Sequence, residues 1–241
     1  TAFCSGGSVL LTSSSATGNQ WLLDGTPIVG ATNQTYLATA AGNYTVIATT
    51  GGCPSLASAA TTVTINPIPA TPTIGAGGPL TFCSGGSVLL TSSSATGNQW
   101  SLNGTPIGGA TNQTYSATAS GDYTVITTSG GCPSLASAAT TVSVTPTPAT
   151  PTIGAGGPTA FCSGGSVLLT SSSATGNQWS LNGTPIGGAT NQTLIVSASG
   201  DYTVVVTSGG CTSLASAVTT VTANAIPTVT ATNDGPICIG G

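Results

Sequence analysis

Cys4-Ser5-Gly6-Gly7-Ser8-Val9-Leu10-Leu11-Thr12-Ser13-Ser14-Ser15-Ala16-Thr17-Gly18-Asn19-Gln20-Trp21 is a phrase that the chain repeats word for word from Cys83 and again from Cys162. The two intervals are equal, and Cys4–Phe82 agrees with Cys83–Phe161 at roughly four positions in five. The third copy diverges around Leu194–Ser197 and after Val218, and Gly235-Pro236-Ile237-Cys238 restarts the phrase. Self-similarity at a fixed period, here about 79 residues, means that one structural unit is being strung together, so the fold is the fold of a single copy. The expected organisation is a first repeat at 1–67 lacking its first strand, a second at 68–146, a third at 147–226, and the start of a fourth at 227–241.

Working outward from the phrase, the local signals are those of strands. Ser8–Thr12 is short and apolar, with Gly6-Gly7 before it. Gln20–Leu23 runs into Asp24-Gly25, which reads Asn103-Gly104 and Asn182-Gly183 in the later copies. Such pairs favour tight primed hairpin turns. Thr35–Thr39, Tyr44–Thr49 and Ala60–Ile65 continue the unit, with Gly42 and Gly51-Gly52 turning the chain between them. Six or seven short strands at spacings of about 8–12 residues, with no helical period, predict an all-β fold of tandem Ig-like sandwich domains. Asn66–Pro72 and Thr145–Pro151 are short Pro-rich linkers, and proline at that density favours extended, semi-rigid geometry.

The composition excludes whole classes of function. There is no Lys, Arg or His, and the acids are Asp24, Asp122, Asp201 and Asp234, giving a net charge of −4 over 241 residues. Nucleic-acid binding needs cations to displace counterions, so no nucleic-acid partner is expected. Serine is abundant, but a serine nucleophile needs a base that this chain lacks. Single, scattered aspartates supply neither a carboxylate pair nor a metal cage, and no glycine-rich stretch carries a phosphate-loop lysine. Asn233-Asp234-Gly235 is better read as a linker turn than as a calcium site. No catalytic residue, cofactor or metal is expected, and the chain is read as a non-enzyme. With 39% apolar residues and a mean hydropathy of +0.36 it is predicted to fold rather than stay disordered. No apolar run approaches transmembrane length, so no membrane insertion is expected.

Each complete copy has two cysteines at one fixed spacing: Cys4 and Cys53, Cys83 and Cys132, Cys162 and Cys211. Cys238, the first cysteine of the next copy, is left unpaired. With no histidine and no short Cys spacing, disulfides are expected rather than zinc, and they imply an oxidising, extracellular setting. Pairing within each repeat is the preferred scheme. If the strand order is immunoglobulin-like, however, Cys4 and Cys53 fall at opposite ends of the sandwich. Cys4–Cys132 and Cys83–Cys211, crossing the junctions, are then the competing scheme.

Trp21, Trp100 and Trp179 close the repeated phrase, each at the same distance from its first cysteine. Identical placement in three copies favours core positions over sugar-stacking platforms. Tyr44, Tyr123 and Tyr202 follow a Gly-x pair at a strand start, the tyrosine-corner position of sandwich folds. Asn33, Asn112, Asn191, Asn103 and Asn182 stand in glycosylation sequons.

Taken together, Phe3–Leu11, Asn19-Gln20-Trp21, Asp24–Ile28, Gly30–Tyr36 and Gly42–Val46, ending in Gly52-Cys53, resemble the Ig-like repeats of giant secreted surface proteins of Bacteroidota. The resemblance covers nearly the whole chain three times over. It implies export by the type IX secretion system and a role as an extracellular cell-surface adhesin or filament, in attachment, gliding or prey capture. Nearly identical units present the same surfaces at regular intervals, so the expected partner is other copies of the chain, as a homo-oligomer or fibre. The competing readings are a multivalent module that binds a surface glycan through loops such as Gly30–Thr35, and a passive stalk for a distant functional domain.

Overall fold

The computed structural model describes residues 1–232 and residue 235, and all of its regular elements are strands. The expectations for Cys238 and for Asn233-Asp234 fall outside the described residues. Two compact units are formed, Thr1–Thr81 with Gly86–Ser143, and Phe82–Gly85 with the chain from Val144 onward.

The first copy supplies β1 (Ala2–Cys4), β2 (Val9–Thr12), β3 (Asn19–Leu23), β4 (Thr26–Pro27), β5 (Thr35–Ala38), β6 (Gly42–Thr50), β7 (Cys53–Pro54) and β8 (Thr61–Asn66). Its larger sheet has the order β1-β8-β6-β3-β4, with β7 paired to β6, and β2 pairs with β5 in the smaller one. The second copy adds a strand at its start: β9 (Ile74–Ala76), β10 (Thr81–Cys83), β11 (Val88–Ser92), β12 (Asn98–Leu102), β13 (Thr105–Pro106), β14 (Thr114–Ala117), β15 (Gly121–Ser129), β16 (Cys132–Pro133) and β17 (Thr140–Thr145). Its sheets read β10-β17-β15-β12-β13 and β14-β11-β9, and the third copy repeats both orders. This is the strand order of an immunoglobulin-like sandwich, so the chain is all-β, with Ig-like sandwiches in tandem. The position equivalent to β9 in the first copy would precede residue 1.

Local chemistry explains why the strands start and stop where they do. Between β3 and β4, Asp24 and Gly25 both have positive φ (47° and 80°), and Asn103-Gly104 behaves alike (50° and 78°). Two consecutive left-handed residues make the primed turn whose twist matches a hairpin. Asp24 Oδ1 and Asn103 Oδ1 then accept the N–H of Asn43 and Asp122, at 2.9 Å each. Gly42, Gly121 and Gly200 have φ of 146°, 143° and 149°, a conformation that L side chains rarely adopt, and a Cβ there would also displace the side chain of Leu23, Leu102 or Leu181 on the facing strand.

The sandwich core is built around the tryptophans. Trp100 and Trp179 are fully buried and Trp21 nearly so. In the third copy Trp179 packs with Val167, Leu169, Val196, Tyr202, Val204 and Val221. Each indole N–H donates to a loop carbonyl at 3.0 Å: Asn33, Asn112 and Asn191 in turn. Tyr44, Tyr123 and Tyr202 are buried, and each hydroxyl donates to a carbonyl one turn upstream, on Ala40, Ala119 and Ala198. Antibody domains pack their tryptophan against a disulfide between the two sheets. Here aliphatic side chains fill that space, and the cysteines lie elsewhere.

Candidate functional site

No described group of His, Cys, Asp or Glu could hold a metal ion, and no described helix is long and apolar enough to cross a membrane. The chemistry of this chain is concentrated in its cysteines, whose placement follows from one short strand. β1 runs parallel to β8 in the register Ala2↔Thr64, Phe3↔Ile65, Cys4↔Asn66. Ser5 N–H extends the pairing to the Asn66 carbonyl at 2.9 Å. Cys4 is thereby set beside the last residue of β8, where the chain leaves for the next copy.

The second cysteine of a copy occupies the other end of the larger sheet. β6 runs antiparallel to β8, with Gly42 opposite Val63, and it ends on the Thr50↔Cys53 pair. About eleven strand residues therefore separate the level of Cys4 from that of Cys53, which at ~3.3 Å per residue is roughly 35 Å. A disulfide needs Cα atoms within about 7 Å. The pairing preferred from the sequence, within each repeat, is accordingly not the one formed, and this corrects it for Cys4–Cys53, Cys83–Cys132 and Cys162–Cys211.

Cys4 is instead bonded to Cys132, with a Cα–Cα distance of 5.5 Å, and Cys83 to Cys211 at 5.6 Å. In both, the first cysteine of one copy joins the second cysteine of the following copy, at a sequence separation of 128. The receiving cysteine follows a Gly-Gly turn: Gly130 and Gly131 have φ of 57° and 81°, and Gly209 and Gly210 of 57° and 80°. Asn66 Nδ2 donates to the Gly130 carbonyl at 2.7 Å, adding a polar clasp beside the first staple. A Cβ on Gly130 would meet that amide at 3.0 Å. Thr145 holds the equivalent position in the second unit, where a Cβ on Gly209 would lie 3.0 Å from its methyl. Cys132 and Cys211 are buried, whereas Cys53 and Cys162 are free and exposed. Sequence reasoning missed Asn66 and Gly130; the retained Gly-Gly-Cys triplet was the available signal, and it reads simply as a turn.

The mechanical consequence is a matter of connectivity. The staple lets the covalent path from Cys4 jump to Cys132 and then follow the backbone to Cys162, bypassing everything between Cys4 and Cys132. At ~3.4 Å per extended residue, that path of about 30 residues can stretch to about 100 Å, against about 540 Å for the unstapled backbone. A second path, from Cys53 along the backbone to Cys83 and through its staple to Cys211, shortens in the same way. The two paths share no backbone segment, so tension divides between two covalent tracks.

The loop of the glycan-binding alternative is less equipped. The Ala31 and Asn33 carbonyls accept the backbone and indole N–H groups of Trp21, and the Ile28 carbonyl accepts Gln20 Nε2, which ties the loop to the core. With Leu10, Tyr36 and Leu37 it borders an open groove. Val29 and Leu37 there become Gly108 and Ser116 in the groove of the second copy. Asn33, Asn112 and Asn191 are exposed.

No family model and no curated protein matches the chain. Among solved structures, it is similar to one chain of the crystal structure of a mouse coronavirus receptor-binding domain complexed with its murine receptor, at 17% identity and a TM-score of 0.38, over 64% of this chain and 100% of that one. The ligand-binding domain of human OSCAR is similar at 16% identity and a TM-score of 0.29, over 64% of this chain and 99% of that one. The fold assignment rests on the strand order itself. Disulfides persist in oxidising compartments, and two of them in Ig-like domains fit a secreted or extracellular protein.

Proposed function

We propose that this chain is the structural repeat region of an extracellular cell-surface adhesin or self-assembling filament. The observation that carries the reading is the staple that joins each copy to the next, because a ligand-binding module has no need of two covalent tracks along its array. A shaft under tension does need them. The residues shared with the Ig-like repeats of giant surface proteins of Bacteroidota support the same reading, with export by type IX secretion and display at the cell surface.

Lateral assembly follows from the surface. With four aspartates and no cations, little repulsion keeps neighbouring chains apart. The short edge strands β4 and β13 end in proline, which blocks pairing, but β5 and β14 are four-residue edges without a lysine. One weak contact recurring in every copy gains strength through effective concentration. The test is sedimentation equilibrium of the oxidised chain across a wide concentration range, with free thiols alkylated. A mass that climbs with concentration is expected. A strictly monomeric particle that binds one surface glycan tightly through Gly30–Thr35 would favour the binding module instead.

A further inference from the structure

One polar side chain in every core is only half satisfied. Asn19, Asn98 and Asn177 are buried, at 3%, 3% and 2% exposure. Nδ2 of each donates to the carbonyl of Ser15, Ser94 or Ser173 at 2.9–3.0 Å, so turning the amide over would set two oxygens against each other. Oδ1 is thereby fixed in place, fully enclosed, and accepts no hydrogen bond from the protein in any of the three copies. Ser13, Ser92 and Ser171 are buried beside the same loop. Each Oγ accepts the N–H of Ser15, Ser94 or Ser173 at 3.1 Å, and its own proton goes to no described protein acceptor. Ser92 ends β11 and Asn98 begins β12, so the two buried side chains belong to opposite sheets at one end of the sandwich. Facing sheets lie about 10 Å apart, more than a serine and an asparagine side chain span together.

We infer that each copy binds one internal water molecule, held between Asn98 Oδ1 and Ser92 Oγ, and at the equivalent atoms of Asn19 with Ser13 and Asn177 with Ser171. The chemistry selects the ligand. Oδ1 needs a donor, and the serine hydroxyl needs an acceptor. A metal ion would serve the first and leave the second unmet, and an anion would do the reverse. Water does both from one position, and buried polar groups without a protein partner are commonly met by it. Every residue involved lies within a single copy, so the site owes nothing to the neighbouring copies. It also does not depend on the residue opposite the asparagine, which is Ala48, Thr127 and Val206 in turn. The site gives the repeated phrase a reason: its first and third serines and its asparagine are the groups that shape it. Because Asn98 stands opposite Thr127 and β15 ends on the Ser129↔Cys132 pair, the water closes the end of the sandwich that receives the staple.

The test pairs a crystal structure of the oxidised full chain, at a resolution that shows ordered water, with oxygen-17 relaxation dispersion in solution, which counts long-lived bound waters. One density peak within hydrogen-bonding distance of both Asn98 Oδ1 and Ser92 Oγ is expected, with its equivalent in the other two copies. In solution, Asn98→Leu should lose the signal of one long-lived water, and the chain with all three asparagines replaced should lose three. Ser92→Ala keeps the amide and its bond to Ser94 and should shorten the residence of the same water. Circular dichroism establishes that each variant is folded. A map in which a protein donor or a metal ion meets Oδ1, or a folded Asn98→Leu chain that loses no long-lived water, would overturn the inference.

Discussion

Replacing Trp100 by alanine probes the packing on which everything else is mounted. The side chain is fully buried, its indole N–H donates to the Asn112 carbonyl at 3.0 Å, and its ring centroid lies 5.9 Å from that of Tyr115. Truncating a large buried aromatic costs about 3–5 kcal/mol. The lost hydrogen bond adds little, because Asn112 is exposed and its carbonyl can turn to water. A domain of about 79 residues is stable by about 4–12 kcal/mol, so the variant repeat is left near its limit. With a urea slope of about 1 kcal/mol/M, its midpoint should fall by about 3–5 M. Circular dichroism should show about a third of the unfolding amplitude moving to low urea, while fluorescence of Trp21 and Trp179 reports on the untouched copies. Trp100→Phe, which keeps most of the bulk and leaves a smaller cavity, should lose about 1–2 kcal/mol. A loss below about 1 kcal/mol for Trp100→Ala would refute the core assignment and return the tryptophan to the surface, as a sugar platform would require.

Two further outcomes follow from particular residues. Gly130→Ala forces a left-handed residue and pushes a Cβ onto the Asn66 amide, whereas Gly51→Ala at φ 58° meets nothing within 4 Å. Both should lose the ~1–2 kcal/mol of the strained backbone, and Gly130→Ala about 1 kcal/mol more; equal losses in urea titrations would remove Asn66 from the junction. Burial raises the phenol pKa of Tyr44, Tyr123 and Tyr202 above 10.0, with Tyr36 adding to the effect at Tyr44. Since the unfolded chain releases these protons first, their contribution is complete below pH 10 and is lost as the pH rises through the folded values. The urea midpoint should therefore fall above pH 10, and a midpoint that holds constant there would contradict the burial of the three hydroxyls.

What the sequence made legible, and what it did not, divides along a physical line. The hairpin turns at Asp24-Gly25 and Asn103-Gly104 are local events, governed by residues adjacent in the chain, and the strand spacing followed from them. The core role of Trp100 was readable because packing demands the same residue at the same place in every copy. Cysteine pairing is a different problem. The spacing from Cys4 to Cys53 and the spacing from Cys4 to Cys132 look equally plausible in one dimension. The choice turns on whether Ala2–Cys4 runs parallel to Thr61–Asn66. That strand is three residues long, carries no alternation, and reads as part of the loop before Val9. The immunoglobulin-like strand order did expose the conflict between opposite ends of the sandwich, but geometry was needed to resolve it. The Asn66–Gly130 clasp was invisible for a related reason: its two residues belong to consecutive copies and meet only in the folded chain, beside the staple.

The junction-crossing staples are the centre of the account, and the four aspartates allow a direct test. Trypsin has no site in this chain. A protease that cuts before aspartate divides it into 1–23, 24–121, 122–200, 201–233 and 234–241, carrying in turn Cys4, Cys53 with Cys83, Cys132 with Cys162, Cys211, and Cys238. The oxidised chain, with free thiols alkylated before digestion, is analysed by mass spectrometry without reduction. Staples that cross the junctions predict two linked pairs, 1–23 with 122–200 and 24–121 with 201–233, and alkylated Cys53 and Cys162. Pairing within repeats would instead join the first four peptides into one species, and finding that species would contradict the account.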